Sequence, residues 1–241
     1  MSDLFSIQLQ NRQQQGRDGV WLDLPTTTEQ VQAALRQIGI SSDNPQGLFI
    51  SGYFAEEEKR FAIPYNMVLA SSVDELNFLA ARLETLSAGE RAELNAALQT
   101  PQGELSSIGR ITDFPENVEY YVHLPDVRGP VQLGDYYLNR SGMVDMPEEW
   151  KGGIDTAQFG RYVAQQEQGA FTQYGYLVKS GDEWQKVYEG QPVPEEYRVL
   201  SFPASEILRD AANIPPPVQP ETEPQKVIPI ILNGKDSVER M

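Results

Sequence analysis

Apolar Phe5, Ile7 and Leu9 alternate with polar neighbours over residues 4–10, which predicts a strand with one buried face. A polar loop follows at residues 11–19, then residues 20–24 predict a second strand stopped by Pro25. Thr26 with Glu29 makes a capping-box pattern, and Val31, Ala34, Leu35 and Ile38 recur at helical spacing, so a helix is predicted up to Gly39. Residues 47–53 predict a third strand. The period then changes. Ser72 with Glu75 and Ser87 with Glu90 open helices over residues 73–86 and 88–98, the first carrying a stripe of Val73, Leu76, Leu79, Ala80 and Leu83, the second Leu94, Ala97 and Leu98. Residues 106–114 add a further turn or two.

From Asn117 the pattern is mixed. Residues 118–123 predict a strand, 131–139 a helix stopped at Arg140-Ser141-Gly142, and 156–165 a helix closing near Gly169. Residues 171–179 and 184–188 predict a hairpin around Ser180-Gly181-Asp182-Glu183, with 197–202 as a further strand. Beyond Ala211 the composition turns to Pro215-Pro216-Pro217, Pro220 and Pro224 with polar spacers, the signature of an extended linker. The short apolar run at 227–232 behind it has three open readings: it leads into a further domain, docks back on the body, or binds a partner. The expected fold is therefore α+β and elongated, in three small modules: a small antiparallel sheet plus helix at 1–62, a helical module at 63–112 and a small sheet plus helices at 113–204. A Pro-rich tail occupies 205–241.

Charge changes this picture. The 241 residues carry 35 Asp and Glu against 19 Lys and Arg, a net −16, and cuts at residues 40, 110 and 180 leave −1, −5, −5 and −5, so the acidity belongs to the folded body. Such a surface repels nucleic acid and attracts basic partners. Residues 111–127 hold Asp113, Glu116, Glu119 and Asp126 with no Lys or Arg; residues 142–156 hold Asp145, Glu148, Glu149 and Asp155 against Lys151; Glu56, Glu57 and Glu58 form a third cluster. Taken singly, each is a solvated face; only their sum points to a function.

With no cysteine, thiol nucleophiles, thiolate zinc sites and iron–sulfur clusters are excluded. One histidine, His123, makes no multi-histidine metal site and reads as structural. The tyrosines at 120, 121, 136, 137, 174 and 176 lack the cationic groove that base stacking needs and read as core. Adjacent carboxylates such as Glu148 with Glu149, or Glu195 with Glu196, diverge rather than converge, no Gly-rich phosphate loop is present, and Glu56, Glu57 and Glu58 lack the alternating acids of a calcium loop. No enzyme, cofactor or metal is expected. No run of eighteen apolar residues is present and residues 1–20 lack an apolar signal core, so the expected address is cytoplasmic, with no membrane.

Three segments carry a resemblance: Gly19-Val20-Trp21-Leu22-Asp23-Leu24-Pro25; Asp74-Glu75-Leu76-Asn77-Phe78-Leu79-Ala80; and Leu133-Gly134-Asp135-Tyr136-Tyr137-Leu138 running through Met146-Pro147-Glu148-Glu149-Trp150 to Ile154-Asp155, followed by Phe159-Gly160-Arg161 and Gly175-Tyr176. In order and spacing, over residues 4–180, the chain resembles the ArdA-type antirestriction proteins of conjugative elements. The resemblance implies an elongated acidic dimer of three small domains that mimics DNA and blocks the DNA-binding groove of type I restriction–modification enzymes without a cofactor. Asp135 then joins the carboxylates above as a phosphate surrogate. The chain departs from the family where Gly52-Tyr53-Phe54 replaces Asp-Tyr-Glu and where Arg161 is followed by Tyr162 instead of Asp; Arg161 is expected to pair with Asp155.

The mimic idea has a physical scale. Duplex DNA offers about one charge per ~1.7 Å, and a compact chain of this size spans roughly 45 Å, so on the order of 27 phosphates must be matched. Acids must therefore be sorted away from bases. The alternative function is an acidic adaptor, or a regulatory front end, acting through the tail.

Overall fold

The computed structural model describes residues 4–14, 18–41, 46–56, 60–100 and 104–200. Glu57, Glu58, the Pro-rich stretch and residues 227–232 lie outside them. Strand β1 (Phe5–Asn11) buries Phe5, Ile7 and Leu9 and pairs antiparallel on one side with β2 (Val20–Leu24) and on the other with β3 (Leu48–Phe54). Gln8 faces Gly52 while Leu9 faces Ile50, so Ser51 is bulged out of β3.

Helix α1 (Thr28–Gln37) is capped by Thr27 with Gln30, one residue later than the Thr26 and Glu29 pattern predicts. The reason is tertiary: Thr26 is buried and its N–H donates to Asn77 Oδ1 at 2.7 Å, which leaves the N-cap position to Thr27, while the Thr26 hydroxyl supports the cap by donating to Gln30 Oε1 at 3.0 Å. Short α2 (Tyr65–Leu69) precedes α3 (Val73–Glu84) and α4 (Ala88–Gln99), both opened by the expected boxes at Ser72/Glu75 and Ser87/Glu90. Helix α5 (Ile108–Asp113) runs into a 3-10 turn at Phe114–Glu116. One continuous core joins this sheet to α1, α3, α4 and α5 and takes in Tyr121, Leu177, Val199 and Leu200.

The second sheet has the order β4-β6-β5, with β4 (Tyr121–Leu124), β5 (Ala170–Thr172) and β6 (Gly175–Lys179) all antiparallel. Residues 118–120, predicted as strand, form a 3-10 turn instead. The predicted hairpin at residues 180–183 is corrected as well: the hairpin joins β5 to β6, and residues 184–188 make no strand. Their amides have other partners. Gln185 N–H donates to Asn117 Oδ1, and the N–H groups of Val187, Tyr188 and Glu189 converge on the Asp113 carboxylate. Residues 197–200 likewise turn instead of pairing, with a 3-10 turn at Glu195–Tyr197 and the Val199 and Leu200 amides both at 2.8 Å from Asp74 Oδ1; residues 201 and 202 lie outside the described set.

Helix α6 (Pro130–Asp135) continues through a π-type turn at Tyr136–Arg140, then come short α7 (Glu148–Lys151) and α8 (Thr156–Glu167), which ends with Gln168 left-handed at φ 55°. Helices α6 and α8 meet backbone to backbone. A β-carbon on Gly134 would lie 2.0 Å from Thr156 O, and one on Gly160 1.9 Å from Pro130 O, so only glycine fits at either position. Glu167 at the end of α8 accepts hydrogen bonds from the hydroxyls of Tyr137 and Tyr176, tying the π-type turn and β6 to this helix pair.

Candidate partner-binding surface

The carboxylates singled out by sequence separate into buried, paired and exposed groups. Asp113 is fully buried and its carboxylate accepts three amides, so it is removed from the surface set: it organises the scaffold. Glu116, at the end of the 3-10 turn, is exposed and bonded to Arg82 at 2.5 Å. Asp135 is half-buried; hydrogen bonds from Arg140 and then Asn139 hold its carboxyl below the usual aspartate range. Glu119, Asp126, Asp145, Glu148, Glu149 and Asp155 are all exposed. Of these, Glu148 meets Lys151 at 3.0 Å, whereas no ion pair within the described residues reaches the other five. Asp155 caps α8 by accepting from Gln158 N–H at 2.9 Å, and does not pair with Arg161, which is exposed. Glu56 is exposed just after β3.

The fold adds two acids that sequence reasoning missed. Asp182 and Glu183 line a groove of about 650 Å³ together with Glu116, Glu119, Tyr120 and Trp184. Three links hold its walls together: Ser180 Oγ donates to Tyr120 O at 3.1 Å, Asp182 N–H to Ser180 Oγ, and Gln185 N–H to Asn117 Oδ1. As a linear pattern, Ser180-Gly181-Asp182-Glu183 signals only a turn. The partner wall lies more than sixty positions away, and no local signal points to it.

Several basic groups are held against carboxylates. Two partly buried carboxylates, Glu104 and Glu189, take up three cations: Arg110 Nη1 lies 2.9 Å from Glu104, Lys179 Nζ 2.7 Å from Glu104, and Arg110 Nε 3.0 Å and Lys186 Nζ 3.3 Å from Glu189. The Lys179 hydrogen bond, followed by the smaller help of Arg110, holds Glu104 below the usual glutamate range. Burial works against the charge on Glu189, yet the hydrogen bond from Arg110 and the neighbouring Lys186 ammonium hold it below that range too. Arg82 and Lys151 pair in the same way with Glu116 and Glu148, while Arg36, Arg128 and Arg161 are exposed with no ion pair among the described residues. The acids that stay unpaired set up a joint field that extends into solvent over about a Debye length, ~8 Å at physiological salt.

Among the described residues no group of three or more His, Asp or Glu is arranged to hold a metal ion. His123 lies in β4 with Nε2 2.9 Å from Tyr174 O, bridging to the β5–β6 turn. No helix among the described residues is long and apolar enough to cross a membrane.

Comparison with known proteins agrees with the motif series. No curated protein matches the chain. The profile of the family described as Antirestriction protein (ArdA) matches residues 15–178, which takes in everything from β2 to all but the last residue of β6, with both helix-packing glycines. The chain belongs to the ArdA family of antirestriction proteins.

Proposed function

We propose that this protein is a non-catalytic, DNA-mimicking inhibitor that occupies the basic DNA groove of a type I restriction–modification enzyme, acting in the cytoplasm as a homodimer. The observation that supports the reading is the excess of outward-facing acid in a chain of net charge −16: Glu119, Asp126, Asp145, Glu149, Asp155, Asp182 and Glu183 face outward with no ion pair within the described residues, while Glu104 and Glu189 absorb Arg110, Lys179 and Lys186. A groove built to neutralise phosphates meets carboxylates in their place. Opposite fields speed the encounter, and counterion release makes it salt-sensitive.

The direct test is phage restriction or plasmid transfer in a strain with a type I system, with and without the gene; unchanged restriction would overturn the reading. A variant sharpens it. Asp145→Lys, Glu148→Lys and Glu149→Lys combined with Asp155→Asn, which keeps an amide-accepting oxygen at the α8 cap, should weaken inhibition by roughly tenfold or more without shifting the unfolding midpoint. Deleting residues 213–241 should leave inhibition intact. Loss of function on that deletion would instead favour an adaptor working through the tail.

A further inference from the structure

The outer face of the first sheet carries an aromatic patch that no other described element covers. Trp21 is 49% and Phe54 53% exposed, their rings meeting edge to face at 6.4 Å. Trp21 and Gly52 both stand opposite Gln8 from the two outer strands, and the Trp21 indole reaches across the sheet: a β-carbon on Gly52 would come within 3.0 Å of its Cη2. Tyr65, 51% exposed, flanks β3 with its hydroxyl donating to Ser51 O. Two polar pairs on this face are already bonded to one another, Ser6 Oγ to Asp23 and Ser51 Oγ to Gln8 Oε1 at 3.0 Å. An apolar cover would therefore strand few polar atoms.

We infer that residues 227–232 of this same chain cover the patch. The chain is tethered beside it. Val199 and Leu200 are held at the first turn of α3 by Asp74, Asn77 Nδ2 donates to Tyr197 O, and Asn77 Oδ1 accepts from Thr26, only two residues past the end of β2. From Thr26 back to Trp21 the strand path is roughly 17 Å. The roughly 26 residues from 201 to 226 reach ~85 Å, several times that separation, so even an extended Pro-rich linker spans it with slack. Val227, Ile228, Ile230, Ile231 and Leu232 supply an apolar run suited to a flat aromatic face. Tethering raises its local concentration to the millimolar range, so a contact of only millimolar strength keeps the patch covered about half the time.

The test uses the full-length protein labelled with nitrogen-15, reading the indole N–H signal of Trp21 identified with Trp21→Phe. Replacing Ile228, Ile230 and Ile231 by Ser should move the Trp21 signal and leave those of Trp150 and Trp184 in place, and a synthetic peptide of residues 224–234 at millimolar concentration should move it back. Phe54→Ser should speed amide exchange at residues 227–232 by about twofold. A Trp21 signal indifferent to the triple serine variant would overturn the proposal. So would one that moves on dilution, which would assign the face to a second copy. Neither outcome bears on restriction inhibition, so the two proposals fail separately.

Discussion

Single carboxylates in this protein do opposite work according to depth. Asp113 is surrounded by core and accepts three amides from residues 187–189. Asp113→Ala would leave those amides without partners in a dry site and should lower the unfolding free energy by about 3 kcal/mol or more, read from urea unfolding. Glu93, on α4, is the reverse case. Burial, with help from the neighbouring Glu90, pushes its carboxyl up to about 7, and its Oε1 is buried without a hydrogen-bond partner. A carboxyl raised above its unfolded value contributes stability that is complete below the unfolded pKa of ~4.3 and is lost as pH climbs through 7. Glu93→Gln should therefore stabilise the protein at pH 8 by about 1 kcal/mol, allowing for solvent screening, and do little near pH 4. Equal effects at the two pH values would contradict the assigned burial.

At the scale of elements, the packing of α6 on α8 depends on two missing side chains. Gly134→Ala or Gly160→Ala drives a methyl group into a facing carbonyl at about 2 Å, and should destabilise by roughly 2–3 kcal/mol. Gly152→Ala, with nothing within 4 Å, is the control and should be nearly neutral. Thermal unfolding separates the two. The same elements mark how far the sequence could be read. The boxes at Ser72 and Ser87 were legible because cap and partner lie three residues apart. The shift of the first cap to Thr27, the absence of strand at residues 184–188 and the turn at Glu195–Tyr197 were not, because Asn77, Asp113 and Asp74 claim the relevant amides from 51, 74 and 125 positions away. Local pattern reports local hydrogen bonds; here distant side chains outcompete them. Of the candidate surface, the acids at 116, 119, 126, 145, 148, 149 and 155 stand out in the sequence and are exposed; Asp113 stands in the same acidic run but is buried, because its carboxylate is claimed by distant amides, and Asp182 and Glu183 join only through the groove they share with Glu116 and Glu119.

For the whole molecule the governing quantity is a net charge of −16 that is not evenly compensated. Inhibition of a type I enzyme should weaken steadily as salt rises, with the loss appearing mainly in the association rate, because many weak contributions set the field and no one carboxylate dominates it. Titration of enzyme against inhibitor at stepped ionic strength measures this; a salt-independent affinity would point to an apolar interface instead.

The bonds from Asp74 and Asp113 to the stretch after β6 set a limit on trimming. The family match ends at residue 178, yet a fragment cut there would strip these two interior anions of their backbone donors and bare the shelf beneath Val199 and Leu200. The smallest autonomous unit therefore reaches at least to Leu200, some twenty residues past the border that homology alone would draw.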